Sequence, residues 1–196
     1  MPKTIIEGLV TVVRSRNTSP TWNDVKTALL DFDRVGLRGL VQDLYSASKD
    51  NQAFLHARLG LGLDQLQPFK ASISRWISPD LMKGQSVSVS KAKKAITDYK
   101  KAIGRPGGMA ELSIFYCEEA IGLLESCSLE DEIYFTALIR MYGRSLEIVS
   151  DLPTLERSTY LDRLDKLRSR GRSIGWVVEE EFNRLWYDAV DEQKGE

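Results

Sequence analysis

The chain has 196 residues, 42% hydrophobic and 28% charged. That is enough apolar material to bury a core, and it excludes a globally disordered chain. Lys and Arg number 27 against 28 Asp and Glu, a formal net charge of −1. This excludes a whole-molecule field that attracts polyanions, so nucleic-acid binding requires a local basic patch. Met1 to Thr4 runs into a short apolar stretch over 8–13. It has neither the small-residue cleavage site of a secretory leader nor the roughly 18 apolar residues of a membrane span. The expectation is a cytoplasmic, non-membrane chain forming one all-helical domain over 1–196, with 1–18 as an N-terminal appendage.

In chain order, the β-branched residues of 5–13 suit helix and strand equally. Ser19-Pro20 marks a helix start, because the hydroxyl caps free amides and proline is tolerated at the first helical position. Val25, Ala28, Leu29 and Phe32 then share a face. After Asp33 a second helix carries Leu37, Leu40, Val41, Leu44 and Tyr45, and a third carries Phe54, Leu55 and Leu59 before stopping at Gly60-Leu61-Gly62. Leu66, Phe69, Ile73 and Trp76 predict a helix over 63–77 with Pro68 in or near its first turn. Residues 86–90 alternate like a strand but are short and isolated, and they are assigned to a linker.

Ala92, Ile96, Tyr99 and Ile103 form one stripe of a lysine-rich helix that Gly104-Arg105-Pro106-Gly107-Gly108 breaks. The next helix, 109–126, is apolar nearly all round and is expected at the centre of the domain. It leaves only a strip of Glu111, Glu118 and Glu125, spaced by seven and assigned to solvent. Ser128 to Asp131 resembles a capping box opening a helix to Val149, and the short connection predicts an antiparallel hairpin. Two amphipathic helices follow, the first ending at Gly171. The fold class is therefore all-α, with seven to eight helices built from antiparallel hairpins. The pair over 106–153 has the length of a HEAT-type repeat, so an irregular stack or bundle and a solenoid both stay open.

Few residues assemble into chemistry. Cys117 and Cys127 fall on one predicted helix about 15 Å apart along its axis, beyond the reach of a disulfide, and are assigned to core packing. Gly171-Arg172-Ser173-Ile174-Gly175 fits a hydrolase nucleophile elbow. The elbow, however, needs a strand before the serine and a histidine after it. The only histidine, His56, lies upstream. No metal-ligand spacing, phosphate loop or dinucleotide fingerprint occurs, so no cofactor is expected.

Two basic segments remain. Lys91, Lys93, Lys94, Lys100, Lys101 and Arg105 surround the polar face of one helix, and Arg163, Lys166, Arg168, Arg170 and Arg172 form the other. The first is the candidate nucleic-acid or anion-binding face. The bland alternatives are a solvated face or pairing with the acidic strip.

The run Leu40-Val41-Gln42-Asp43-Leu44-Tyr45, followed by Phe54-Leu55, residues 92–101 and Ile174-Gly175-Trp176, resembles a family of small bacterial all-helical proteins of unknown function. The matching stretches spread over about 33–180. The resemblance implies an all-α fold in a bacterial cytoplasm and carries no site residues. The expected function is a non-catalytic protein-interaction module with an unidentified protein partner. A nucleic-acid or anion binder using residues 91–105 is the alternative, and a serine hydrolase at Ser173 a distant one.

Overall fold

The computed structural model describes residues 19–61, 64–127 and 129–192, without the side chains of 190–192. Residues 5–13, whose sequence suits helix and strand equally, lie outside the described residues, as do Gly62 and Ser128. Among the described residues there are nine α-helices and no strand, so the fold is all-α with more helices than the seven to eight expected. The helices are α1 (Trp22–Ala28), α2 (Arg34–Ala47), α3 (Lys49–Arg58), α4 (Gln67–Ile77), α5 (Val89–Ala102), α6 (Pro106–Ser126), α7 (Glu132–Ser150), α8 (Thr154–Ile174) and α9 (Trp176–Glu192). Contacts divide the chain into two compact units, one running to Leu44 and the other starting at Tyr45.

In the first unit, α1 starts after Pro20 rather than at it. The Thr21 amide donates to Asp24 Oδ2 at 2.7 Å, so this Thr-Asp pair supplies the cap. Asp33 Oδ1 accepts from the Gly36 amide at 2.7 Å and does the same for α2. No residue of α1 or α2 is buried.

The second unit holds the core. Pro68 lies in the first turn of α4, where its missing amide costs nothing. Gly84, at φ 68°, ends a short helical turn over Leu81–Lys83, and the linker reaches only to Ser88, since Val89 and Ser90 already belong to α5.

α6 starts at Pro106, three residues earlier than expected. Gly104, at φ 68°, is the actual break, while Gly107 and Gly108 are helical. Gly108 has a packing role: a Cβ there would overlap the hydroxyl of Tyr99, whose ring is buried edge-on against Phe69. Gly108→Ala should therefore destabilise by about 1–3 kcal/mol through overpacking. Gly122, in the same helix with open space at its Cβ position, should gain up to about 1 kcal/mol as alanine. Urea unfolding of the two variants checks the contrast, and equal shifts would contradict it.

α6 carries the largest set of buried residues, from Met109 to Leu123, and packs against α4, α7 and α8. Named contacts fix its direction. Lys70 and Ser74 of α4 bond Glu111 and Glu119, and Tyr160, Arg163 and Arg170 of α8 bond Gly107, Glu111 and Glu125. The contacts climb all three helices in the same sense, so α4, α6 and α8 run parallel.

The cap of α7 is Asp131, whose carboxylate accepts from the Ile133 and Tyr134 amides at 2.9 and 3.1 Å. α7 thus opens directly after Asp131, three residues beyond the start of the expected box. Gly171 is not a C-cap either. It is buried inside α8, where a Cβ would stand 3.2 Å from Phe182 Cδ2. Gly175, at φ 147°, ends the helix three residues beyond Arg172. Phe182 of α9 then stacks on Tyr142 of α7 with centroids 3.9 Å apart.

Candidate functional site

The six cations of the first basic segment do not share one surface. One turn of helix separates Lys91 from Lys94, so both face a cleft of about 780 Å³ between α3, α4 and α5. Lys93 points instead towards α7, where burial and the charges of Arg140 and Arg144 lower its pKa. Arg105 lies beside Tyr99 and the first turn of α6. Lys100 and Lys101 are exposed.

The cleft gathers residues that no single stretch of sequence announces. Trp76 of α4 is half-buried, and its ring carries two cations: Lys91 Nζ at 3.8 Å and Arg75 Cζ at 4.5 Å from the centroid. Lys94 is held by Asp98 at 2.5 Å and by Asp50 at 3.4 Å. The hydrogen bond that it donates to Asp98 is the main cause of its raised pKa. Lys49 donates to Gln52 at 3.2 Å. His56 Nε2 is 3.1 Å from the Tyr45 hydroxyl on the cleft's α3 side. Phe69 and Ala95, both buried, supply apolar wall.

The second basic segment is mostly used within the fold. Arg163 binds Glu118 through Nε and Nη2, each at 2.8 Å, and also reaches Glu111. Arg170 binds Glu125 at 2.7 Å, Arg168 binds Asp165 at 2.7 Å, and Arg172 binds Glu179 at 2.9 Å. The acidic strip is therefore not a solvated stripe. It is the seam between α6 and α8, because both helices repeat their charges every seven residues and run in the same direction. The strip pairs with α8 and α4, not with the lysines of α5 across the Gly104 turn.

Ser173 does not sit on an elbow. It occupies the last turn of a 21-residue helix, and its hydroxyl donates to the Arg170 carbonyl at 2.7 Å. Cys117 is fully buried, and burial pushes its thiol pKa far up, whereas Cys127 is half-buried at the end of α6. Among the described residues, no group of three His, Cys, Asp or Glu side chains is placed to hold a metal ion. No described helix is long and apolar enough to cross a membrane.

The first unit offers a surface of a different kind. Leu37, Leu40, Val41 and Leu44 of α2 stand at i, i+3, i+4 and i+7, one stripe of a helix. Leu37 is 39% exposed and Val41 45% exposed. Val25 and Phe32, which flank the end of α1, are equally open to solvent.

No family model, curated protein or solved structure matches this chain.

Proposed function

We propose that this chain is a non-catalytic helical protein-interaction module whose α2 stripe docks into an apolar groove of a protein partner. The observation that carries the reading is the stripe itself. An amphipathic helix with no fully buried residue, its Leu37, Val41 and Leu44 exposed and Leu40 half-buried, keeps apolar surface in water, the state that partner binding relieves. Covering each half-exposed Leu or Val contributes on the order of 1 kcal/mol, so a stripe of this length is a useful anchor.

The second unit serves as the scaffold. The parallel run of α4, α6 and α8, with α5, α7 and α9 each packed on its predecessor, supports a stack of three antiparallel hairpins of HEAT-like character. A bacterial cytoplasmic setting belongs to this proposal and rests on the sequence resemblance.

The nucleic-acid alternative has weaker support, because its six cations are dispersed around α5 and beyond. The hydrolase alternative loses the strand-to-helix turn that it requires.

The test is the double variant Leu37→Asp with Val41→Asp. Both side chains are exposed, so the unfolding free energy should change by no more than about 0.5 kcal/mol. Proteins that co-purify with the wild type from its native cell should be missing from the variant. Retention of the same proteins by a folded variant would overturn the reading.

A further inference from the structure

We infer that the cleft between α3, α4 and α5 binds a small organic phosphomonoester, with Arg75 and Lys91 taking the phosphate. This site is independent of the docking stripe on α2.

The argument starts from charge. The cleft is lined by four cations, Lys49, Arg75, Lys91 and Lys94, against two carboxylates, Asp50 and Asp98. Both carboxylates are committed to Lys94. Among the described residues, no carboxylate lies within ion-pair distance of Arg75, Lys91 or Lys49. Arg75 and Lys91 nevertheless converge on one indole ring. Each cation gains about 0.5–1 kcal/mol from the ring at an exposed site. Their mutual repulsion opposes that gain, and an anion bound in the cleft that both line relieves it.

The donor set narrows the anion. A guanidinium fork and an ammonium point charge lining one cleft suit a tetrahedral oxyanion. A phosphomonoester carries about −1.5 to −2 charges near neutral pH, which balances the excess of cations over carboxylates in the cleft. Its organic part has somewhere to go, because Phe69, Pro68, Ala53 and Ala95 form an apolar wall. The volume of about 780 Å³ falls within the roughly 300–1,000 Å³ typical of small-ligand sites.

A nucleic-acid strand fits less well. It needs cations in a continuous track, whereas Lys93 and Arg105 face other surfaces. Asp50 and Asp98 would also repel a phosphate chain running past Lys94.

Trp76 is the built-in reporter. Its indole N–H resonance, assigned by its loss in Trp76→Phe, is followed by NMR in the full chain during four titrations: phenyl phosphate, inorganic phosphate, phenol and a single-stranded oligonucleotide. Phenyl phosphate should shift the resonance saturably and bind at least about tenfold more tightly than inorganic phosphate. Phenol should give no saturable shift. Arg75→Gln with Lys91→Gln, both exposed positions, should weaken phenyl phosphate by at least about tenfold with the unfolding midpoint unchanged. No saturable shift, equal binding of the two phosphates, or unchanged binding by the double variant would overturn the site. Tighter binding of the oligonucleotide at Trp76 would overturn the ligand class.

Discussion

Replacing Phe182 with alanine lowers the stability of the chain by about 3–5 kcal/mol, the range for deleting a fully buried phenyl group. Phe182 has no exposed surface. Its ring lies nearly parallel to Tyr142, with 12° between the planes, and its edge rests over the bare backbone of Gly171. Removing it opens a cavity where α7, α8 and α9 meet. It also strips a stacking contact from Tyr142, whose hydroxyl donates to the Leu164 carbonyl at 3.2 Å. Phe182→Leu should recover part of the loss by refilling volume without restoring the stack. Urea denaturation measures both variants. A loss below about 1 kcal/mol for Phe182→Ala would mean that α9 does not pack as described.

The second large effect comes from Arg163. Its guanidinium joins Glu111 and Glu118, and Lys70 binds Glu111 from the other side at 2.6 Å. Arg163→Met leaves Glu118 without its partner on α8 and Glu111 held by Lys70 alone. Removing one partner of a fully buried pair costs about 3–5 kcal/mol. The Arg163 side chain is 25% exposed, so about 2–3 kcal/mol is expected here.

The variant should also change the pH profile. Burial raises the Glu111 pKa, but hydrogen bonds from Arg163 and Lys70 outweigh it and leave the group below its ordinary 4.5. A depressed carboxylate stabilises the fold fully above its unfolded pKa, and that stability is lost as pH falls through the folded value. In the wild type, this contribution should hold down to about pH 4.5 and fade below it. In Arg163→Met the burial effect gains weight and the Glu111 pKa rises, so the part of the stability lost below about pH 4.5 should be smaller than in the wild type. Thermal unfolding between about pH 3 and 7 checks this, and superimposable profiles would contradict the role given to Arg163.

The all-α class was legible because a 3.6-residue period needs only one helix at a time to be visible. α6 announced its central place through an apolar circumference, and its neighbours did the rest. The errors at Gly108 and Gly171 have one cause. Glycine is a helix breaker by local propensity, yet here each glycine admits a ring from another helix, a reason that lies outside its own segment. The α6–α8 seam was half visible, since Glu111, Glu118 and Glu125 share a seven-residue spacing with Arg163 and Arg170. Taken one helix at a time, such a strip looks solvated, and only the parallel direction of the two helices turns it into a seam.

The cleft was hidden for a related reason. Lys91 and Lys94 were singled out as part of a basic helix. Trp76, the partner of Lys91, belongs to α4, on the far side of an irregular loop whose path no periodicity predicts. Lys49 and Arg75 belong to no basic run in the sequence.

The docking stripe on α2 is tested most directly by site-specific photo-cross-linking in the native cell, with the reactive side chain placed in turn at Leu37, Val41, Gly39 and Asp43. The account predicts adducts to another protein from Leu37 and Val41, and few or none from Gly39 and Asp43 on the polar side of the helix. Yields that are flat around the helix, or that peak at Gly39 and Asp43, would contradict it.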